Sequence, residues 1–339
     1  MSSEMFENDT AMYRKEKAWH GLGVVVNEDC NPRQALREAH LDWNVVPSSE
    51  IGCTYKTAEG LVDVTYTSKK VANIRQDTGD VVGWVSPSYN VVQNAELAEL
   101  AYSLGGEDTV VESFGSLRNG GRIYCLVKCD SFMAQSNDMV DQYMLLCNGH
   151  DGSMTLSGLP TSIRVVCANT LHMAMANGSK NMFRFTHQGD MQDKLSQATE
   201  ALSFFRETGR FFKDNVSRLV ATDWDKEQIQ RFWLDVYQVL NKETVVLPSN
   251  FKSDEDEKIY KRAVASISTW STTFDNEMQE LNVNRPNAWI AANAVTNYLQ
   301  FNESKKGRKT SSDSRVDNNL FGKNASNSIT VMKRALEYC

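Results

Sequence analysis

Residues 109–129 read TVVESFGSLRNGGRIYCLVKC, and this stretch decides the fold class. Residues 109–116 and 122–129 each have strand length and contain β-branched and aromatic residues, which is typical of β-strands. The segment between them contains the dipeptide Asn119-Gly120, which tolerates the positive φ angles of a tight turn. The sequence therefore predicts an antiparallel β-hairpin here.

More strands are predicted on both sides of this hairpin. Residues 61–67, 70–75 and 81–86 have strand length and composition, and turn-forming residues at 68–69 and 77–80 separate them, which favours a meander. Two further strands are predicted at 142–147 and 162–166, and three helices at 32–40, 94–104 and 168–176. The pair Asn31-Pro32 is typical of a helix start.

Beyond residue 190 the hydrophobic period becomes helical. Apolar residues at helical spacing predict helices that face a core. They fall in three stripes: Leu195, Ala198, Leu202, Phe205, Phe212, Val216 and Leu219; Ile229, Phe232, Trp233, Val236 and Leu240; Ile259, Val264, Ile267, Trp270 and Phe274.

These patterns together predict an α+β protein with a β-rich N-terminal body, built of antiparallel hairpins, and a helical C-terminal half. We divide the chain into four regions. These are a mixed β-rich domain at 1–189, a helical region at 190–303, a mobile loop of basic and polar residues at 304–326, and a C-terminal helix at 327–339.

Composition favours an ordinary soluble protein of the cytoplasm. The 339 residues are 41% hydrophobic and 23% charged, and no apolar run approaches the roughly 18 residues that a membrane helix needs. The formal net charge of −7 argues against a surface that attracts DNA everywhere, although it leaves room for a local basic groove. The cysteines lack paired zinc-site spacing, so we expect free thiols, no metal site and no cofactor.

Several short segments carry a family resemblance. They include Trp19-His20-Gly21-Leu22-Gly23, residues 84–96, 148–153, 164–171 and 293–299, and a later Leu320-Phe321-Gly322. In order and spacing they resemble the phage/plasmid-like protein family, an uncharacterised domain family of bacteriophages, plasmids and bacteria. The resemblance implies accessory phage or plasmid machinery in DNA metabolism, inside the cytoplasm of a bacterial host, and it carries over no catalytic residue.

A nucleic-acid surface is predicted in the central β segment. Arg122, Tyr124 and Lys128 fall on one face of a predicted strand, where cationic side chains and an aromatic ring suit phosphates and stacked bases. With Arg118 of the turn and Arg164 they form our predicted contact set. The order of hairpin, third strand and helix is similar to the core of phage single-strand annealing proteins. We therefore expect non-catalytic binding or annealing of single-stranded nucleic acid by a homo-oligomer.

Two alternatives stay open. A polar cluster has the residue types of a hydrolase, with a histidine as base, an aspartate to orient it, and a serine or cysteine as nucleophile. Its members are His150, Asp151, Ser153, Cys167 and Asn169. A structural or host-interaction protein is the other alternative, and it would need no site of this kind.

Overall fold

A computed structural model describes residues 9–14, 23–164, 169–172, 182–302 and 323–339. The α+β class is confirmed, with a strand-rich N-terminal half that contains antiparallel sheets and helices mostly in the C-terminal half. Contacts divide the chain into two compact units. Unit 1 comprises Met1–Cys129, Met144–Leu159 and Asn181–Phe205, and unit 2 comprises Asp130–Tyr143, Pro160–Lys180 and Arg206–Cys339. The division into four sequence regions stays a prediction.

The described strands form two sheets. In chain order they are β1 (Ala11–Arg14), β2 (Val24–Val26), β3 (Val45–Thr57), β4 (Gly60–Arg75), β5 (Val81–Val85), β6 (Val110–Leu117), β7 (Arg122–Gln135), β8 (Asp138–Gly149), β9 (Leu156–Arg164), β10 (Asn169–His172) and β11 (Phe183–Phe185). The larger sheet has the order β10-β9-β8-β7-β6-β1-β2, with β11 also paired to β9, and the smaller has the order β3-β4-β5. β1 and β2 pair in parallel, with Met12 opposite Val24.

The hairpin of β6 and β7 confirms the central prediction. The two strands pair in antiparallel register and close at Leu117↔Arg122. Arg118, Asn119 and Gly120 in the turn have φ angles of 59°, 56° and 83°, as the Asn-Gly dipeptide predicts. β7 and β8 both extend beyond the strands predicted at 122–129 and 142–147.

The predicted turn at residues 68–69 is wrong, because β4 continues through it to Arg75. β3, which the sequence analysis missed, pairs with β4 from Val45↔Arg75 to Thr57↔Gly60, with one irregularity between Ser48 and Glu50. The β3–β4 ladder holds β4 on both sides of the predicted turn, up to Thr67 and again from Ala72, although its register skips the residues between them. We call the distal part, Glu50–Thr57 paired with Gly60–Thr67, the β-arm.

The described helices are mostly those the apolar spacing predicted. They are α1 (Pro32–Glu38), α2 (Asn94–Tyr102), α3 (Met191–Ser203), α4 (Phe205–Ala221), α5 (Lys226–Asn241), α6 (Asp254–Glu280), α7 (Ala288–Asn297) and α8 (Lys323–Glu337). α1 starts as predicted. The Asn31 side-chain oxygen accepts a hydrogen bond from the Gln34 backbone amide, and the Gln34 side-chain oxygen accepts one from the Asn31 backbone amide. A π-helical turn, Tyr298–Asn302, follows α7.

The helix predicted at residues 168–176 is wrong where it can be checked. Asn169–His172 forms β10, which pairs with β9 in antiparallel register. Sheet hydrogen bonds to a neighbouring strand override the local helical pattern here. Residues 165–168 and 173–181 lie outside the described residues, as do 19–22 and the segment 303–322, which holds most of the predicted mobile loop.

Most of the C-terminal stripe residues are in the core, as predicted. Phe212, Phe232, Trp233 and Trp270 are buried. Val264 is 48% exposed, and Ala263 takes the buried position of that helical turn instead. The other stripe residues outside the buried core are half-buried: Leu195, Leu240, Ile259 and Ile267. The first stripe is split between α3 and α4, since α3 ends at Ser203 and α4 begins at Phe205.

Among the described residues, no disulfide involves Cys30, Cys125, Cys129, Cys147 or Cys339, and Cys30, Cys125 and Cys147 are buried. Within the same residues, no helix combines the length and hydropathy that crossing a membrane requires.

Candidate functional site

The loop His150-Asp151-Gly152-Ser153 follows β8 in unit 1 and is held from two sides. A side chain at Gly83 of β5 would place its Cβ 2.4 Å from the Asp151 Cα, so only glycine permits this approach. On the other side the His150 amide donates to the Gly121 carbonyl at 2.8 Å, next to the hairpin turn. The loop is therefore fixed by backbone contacts to β5 and to the β6–β7 turn.

His150 points into the core of unit 1. Its imidazole is fully buried, and its Nε2 lies 2.9 Å from the Asn94 Oδ1. Burial, reinforced by the nearby His187, lowers the pKa of His150 to about 3. Its Nδ1 has no hydrogen-bond partner among the described residues. His150 thus makes no hydrogen bond to Asp151 or Ser153, and these three do not form the base–orienter–nucleophile chain of a hydrolase.

A separate hydrogen-bonded group contains Asp151, Ser153 and Arg122. The Asp151 Oδ1 accepts hydrogen bonds from the Ser153 amide at 2.8 Å and from the Ser153 hydroxyl at 2.6 Å. The Arg122 Nε donates to the same hydroxyl at 3.1 Å. One predicted nucleic-acid contact and two residues of the predicted polar cluster therefore lie together at this loop.

A pocket of about 360 Å³ opens beside the loop, within unit 1. Its large or ionisable lining residues are Trp84, Tyr89, Asp151 and His187. Smaller and polar lining residues complete it: Val85, Ser86, Gly152, Met154, Thr155, Thr186 and Gln188. We call this the Trp84 pocket. Trp84 is 46% exposed, which is unusual for an indole and leaves a large planar apolar surface open to solvent.

The inner wall of the Trp84 pocket is a stacked pair of rings. Tyr89 and His187 have ring centroids 4.6 Å apart and nearly parallel planes. The Tyr89 hydroxyl donates to the Gly149 carbonyl, and the His187 Nδ1 lies 3.1 Å from the Asn90 carbonyl. Burial raises the pKa of Tyr89 far above its usual range and lowers the pKa of His187. Both rings are therefore neutral near pH 7, and the His187 Nε2 has no hydrogen-bond partner among the described residues.

Basic side chains approach the Trp84 pocket from several elements. The Arg184 Nε, on β11, donates to the Thr155 hydroxyl at 3.3 Å. The Lys194 Nζ, on α3, donates to the carbonyls of Thr186 and Gln188. Arg184 is exposed and forms no ion pair with a described residue, so its charge is available to a ligand.

Arg184 was missed by sequence reasoning. It lies between two aromatic residues in Phe183-Arg184-Phe185, and this three-residue alternation is too short to stand out as a strand. The pairing of β11 with Leu156–Gly158 of β9 is what carries Arg184 to Thr155. The position of Arg184 beside Thr155 is therefore evident only from the strand pairing in the folded structure.

The remaining predicted contacts are placed as follows. The Tyr124 ring is half-buried, and its hydroxyl lies 3.3 Å from the Ser113 hydroxyl and 3.4 Å from that of Tyr13. Its phenol is thus engaged with neighbouring strands. Arg118 has the left-handed backbone of the hairpin turn, and Lys128 is half-buried on β7.

The other members of the two predicted sets lie elsewhere in the chain. Arg164 ends β9 and Asn169 begins β10, and both lie in unit 2. Their side chains lie outside the described part of the structure. Cys167 lies outside the described residues. Over the same described ranges, no three residues of the types His, Cys, Asp and Glu are grouped as a metal site would require.

Comparison with known proteins identifies a family. A family model described as a domain of unknown function, DUF932, matches residues 81–320, which include β5, the Trp84 pocket and most of the helices. No curated protein and no solved structure matches the chain. The match covers well over half of the sequence, and the chain therefore belongs to the DUF932 family.

Proposed function

We propose that this protein binds single-stranded nucleic acid without chemical catalysis, and that the Trp84 pocket receives a base. The observation that carries the proposal is the exposed Trp84 at a pocket that basic side chains border. An exposed indole face suits stacking on a base, and such stacking contributes about 1–3 kcal/mol per base for any sequence. A duplex keeps its bases stacked on one another, so this contact favours single strands.

The dimensions and polarity of the Trp84 pocket fit a small planar polar group. Its volume of about 360 Å³ is near the lower end of the roughly 300–1,000 Å³ typical of ligand pockets. Thr155, Thr186 and Gln188 offer hydrogen-bond donors and acceptors, and Asp151 offers an acceptor for an exocyclic amino group. One base, with its sugar at the opening, is the ligand we infer.

The backbone phosphates would meet Arg184 and Arg122. Guanidinium groups bind phosphate through paired N–H donors, and Arg184 is exposed without a carboxylate partner among the described residues. Arg118, Tyr124, Lys128 and Arg164 remain predicted contacts along the strand. We expect affinity to fall with rising salt in proportion to the number of phosphates that these cationic side chains contact.

The test is fluorescence anisotropy of labelled single-stranded and duplex oligonucleotides over a salt series, with nuclease-treated protein. Trp84→Ala should raise the dissociation constant for single strands about tenfold, while Trp84→Phe keeps most of the affinity. Arg184→Gln should weaken binding and reduce the slope of affinity against salt by about one. Arg37→Gln, the same change at an exposed arginine of α1, is the matched control.

Absence of single-strand binding by the folded wild-type protein at low salt would reject the proposal and favour a structural or host-interaction role. Equal affinities for wild type, Trp84→Ala and Arg184→Gln would reject the Trp84 pocket as the site.

The wider setting is also a proposal. We infer an accessory protein of bacteriophage or plasmid origin, active in DNA metabolism such as strand annealing or recombination, as a homo-oligomer in the bacterial cytoplasm. Support comes from the sequence resemblance described above and from the single-strand geometry inferred for the Trp84 pocket. Acceleration of annealing between complementary oligonucleotides, lost in Trp84→Ala, would extend binding to this role.

A further inference from the structure

We propose that the β-arm joins two copies of this chain, with the outer edge of β3 in one copy paired to the same edge in the other. This interface does not depend on nucleic-acid binding at the Trp84 pocket. The occupant we infer is a second copy because the edge is complementary to itself.

The outer edge of β3 has no partner strand among the described residues. The smaller sheet has the order β3-β4-β5, so β4 covers only one side of β3. β5 pairs with β4 only within Val71–Ile74, which leaves the β-arm as a two-stranded ribbon. Such a ribbon is marginally stable alone in water, and an open edge is a template for another strand.

The β-arm also exposes apolar side chains. Leu61 is 75% exposed, and Val62 and Val64 are exposed beside it on β4. Burying such exposed apolar groups against a second copy would be favourable. Association of two arms into a four-stranded ribbon would extend the sheet and cover part of this surface.

The backbone at Glu50 shows which peptide groups face the open edge. The Glu50 amide donates to the Ser48 hydroxyl at 3.2 Å, and that hydroxyl donates to the Glu50 carbonyl at 3.1 Å. These groups therefore point away from β4. Since alternate residues of a strand point their peptide groups to the same side, the groups at positions 52, 54 and 56 also face outward.

A two-fold axis at position 53 gives the outward peptide groups at positions 52 and 54 their partners, while those of Glu50 stay bonded to the Ser48 hydroxyl. In antiparallel register about this axis, position 52 lies opposite 54 of the second copy, and Glu50 lies opposite Lys56. Glu50 and Lys56 are six residues apart and share one face of the strand, so each copy places a carboxylate against an ammonium at both ends of the contact. Both are exposed, and neither forms an ion pair with a described residue.

The opposite edge of the β-arm fits a second copy less well. On β4 the charges that could pair in the same way are Asp63 and Lys69. Lys69 lies in the stretch that the β3–β4 register skips, between Thr67 and Ala72, whereas β3 keeps an unbroken register from Glu50 to Thr57. A regular ladder is thus available on β3.

Charge exchange tests the interface on the full chain in reducing buffer. Analytical ultracentrifugation should show a concentration-dependent dimer for wild type. Glu50→Lys alone and Lys56→Glu alone should each raise the dimer dissociation constant about tenfold or more, since each places like charges together at both ends. Mixing the two variants should restore a dimer that contains one copy of each, and the double exchange in one chain should restore the homodimer.

The matched control is Glu59→Lys, which makes the same charge change at the tip of the β-arm, outside the inferred contact. It should associate as wild type does. A monomeric wild type at tens of micromolar, unchanged association of Glu50→Lys, or failure of the mixture to recover would each overturn the proposal. Nucleic-acid binding can be measured on the same variants, so a failure here is distinguishable from a failure at the Trp84 pocket.

Discussion

His150 illustrates how a reactive residue type can serve structure. The sequence motif His-Asp-Gly-Ser contains the residues of an acid–base site, yet the imidazole turns into the core and bonds Asn94. The Asn73 side chain donates to the His150 carbonyl at 2.7 Å, and Trp43 packs against the ring. A buried neutral histidine of this kind fixes the start of the loop, while Asp151 and Ser153 face the Arg122 side.

The buried imidazole should make stability depend on pH. The pKa of His150 is lowered to about 3 in the folded protein, against about 6.5 in the unfolded chain, so between these values only the unfolded chain takes up the proton. Stability is therefore complete above about pH 6.5 and falls as the pH drops. From about pH 7.5 to 5 this group should remove on the order of 2 kcal/mol. Urea unfolding at several pH values measures it.

The variants His150→Gln and His40→Asn separate this effect from other titrations. His150→Gln should be less stable at neutral pH but lose less stability on acidification, because it removes the proton that the unfolded chain binds. His40→Asn alters an exposed histidine and should follow the wild-type profile. An unchanged profile in His150→Gln would contradict the assignment.

At the scale of elements, the hairpin of β7 and β8 is attached to α7 within unit 2. The Trp289 Nε1 donates to the Asp138 Oδ2 at 2.8 Å, and both residues are fully buried. Close by, the Asn287 side chain donates to the Gln135 Oε1 at 2.9 Å. Two polar contacts thus fix the start of α7 against the β7–β8 turn.

Asp138→Ala should lower the free energy of unfolding by about 1–3 kcal/mol, because it leaves the indole N–H of Trp289 buried without this acceptor. Asp138→Asn retains an oxygen acceptor and should cost less. The exposed Asp130→Ala in the same hairpin is the control and should stay within about 0.5 kcal/mol of wild type. A denaturation series measures all three, and equal stability of Asp138→Ala and wild type would refute the role of this contact.

Elements were predictable from sequence where one face is buried and the other is not. The β6–β7 hairpin and α5 have such faces, and their positions were predicted closely. β3 was missed because Pro47 and Gly52 are unusual in strands. β10 and β11 are short and are defined by partners distant in sequence, so local pattern carries little signal for them.

The candidate site was predictable only in part for the same reason. Composition singled out Arg122, Asp151 and Ser153, but it assigned them to different functions, and their proximity required the fold. Trp84 and Tyr89 lie in the segment 84–96 that carries the family resemblance, but neither was predicted as a site residue. The positions of Arg184 and His187 depend on the pairing of β11 with β9, two strands that are not consecutive in the chain.

At the scale of the whole molecule, each unit is assembled from separate stretches of chain. The boundary between α3 and α4 falls at one residue, Phe204, yet α3 belongs to unit 1 and α4 to unit 2. Sequence adjacency therefore does not decide which residues unfold together. The contacts within each unit should decide it instead.

Hydrogen exchange of the full chain tests this division. Asp138→Ala should reduce protection of amides in α4–α7, about tenfold for each 1.4 kcal/mol lost, and leave α3 protected. Gly83→Ala, which forces a Cβ against the Asp151 backbone, should do the reverse and reduce protection in α3. Equal loss throughout the chain in both variants would mean that the two units unfold as one.

The interrupted course of unit 1 has a consequence for biosynthesis. Its last stretch, Asn181–Phe205, supplies β11 and α3, so the unit cannot be completed until the ribosome has passed residue 205. The 46 residues from 160 to 205 take about 2–9 seconds at translation speeds of about 5–20 residues per second. During that interval Met144–Leu159 has been synthesised but lacks the rest of its unit, and nascent chains of this protein should be substrates for chaperones that shield unfinished sheets.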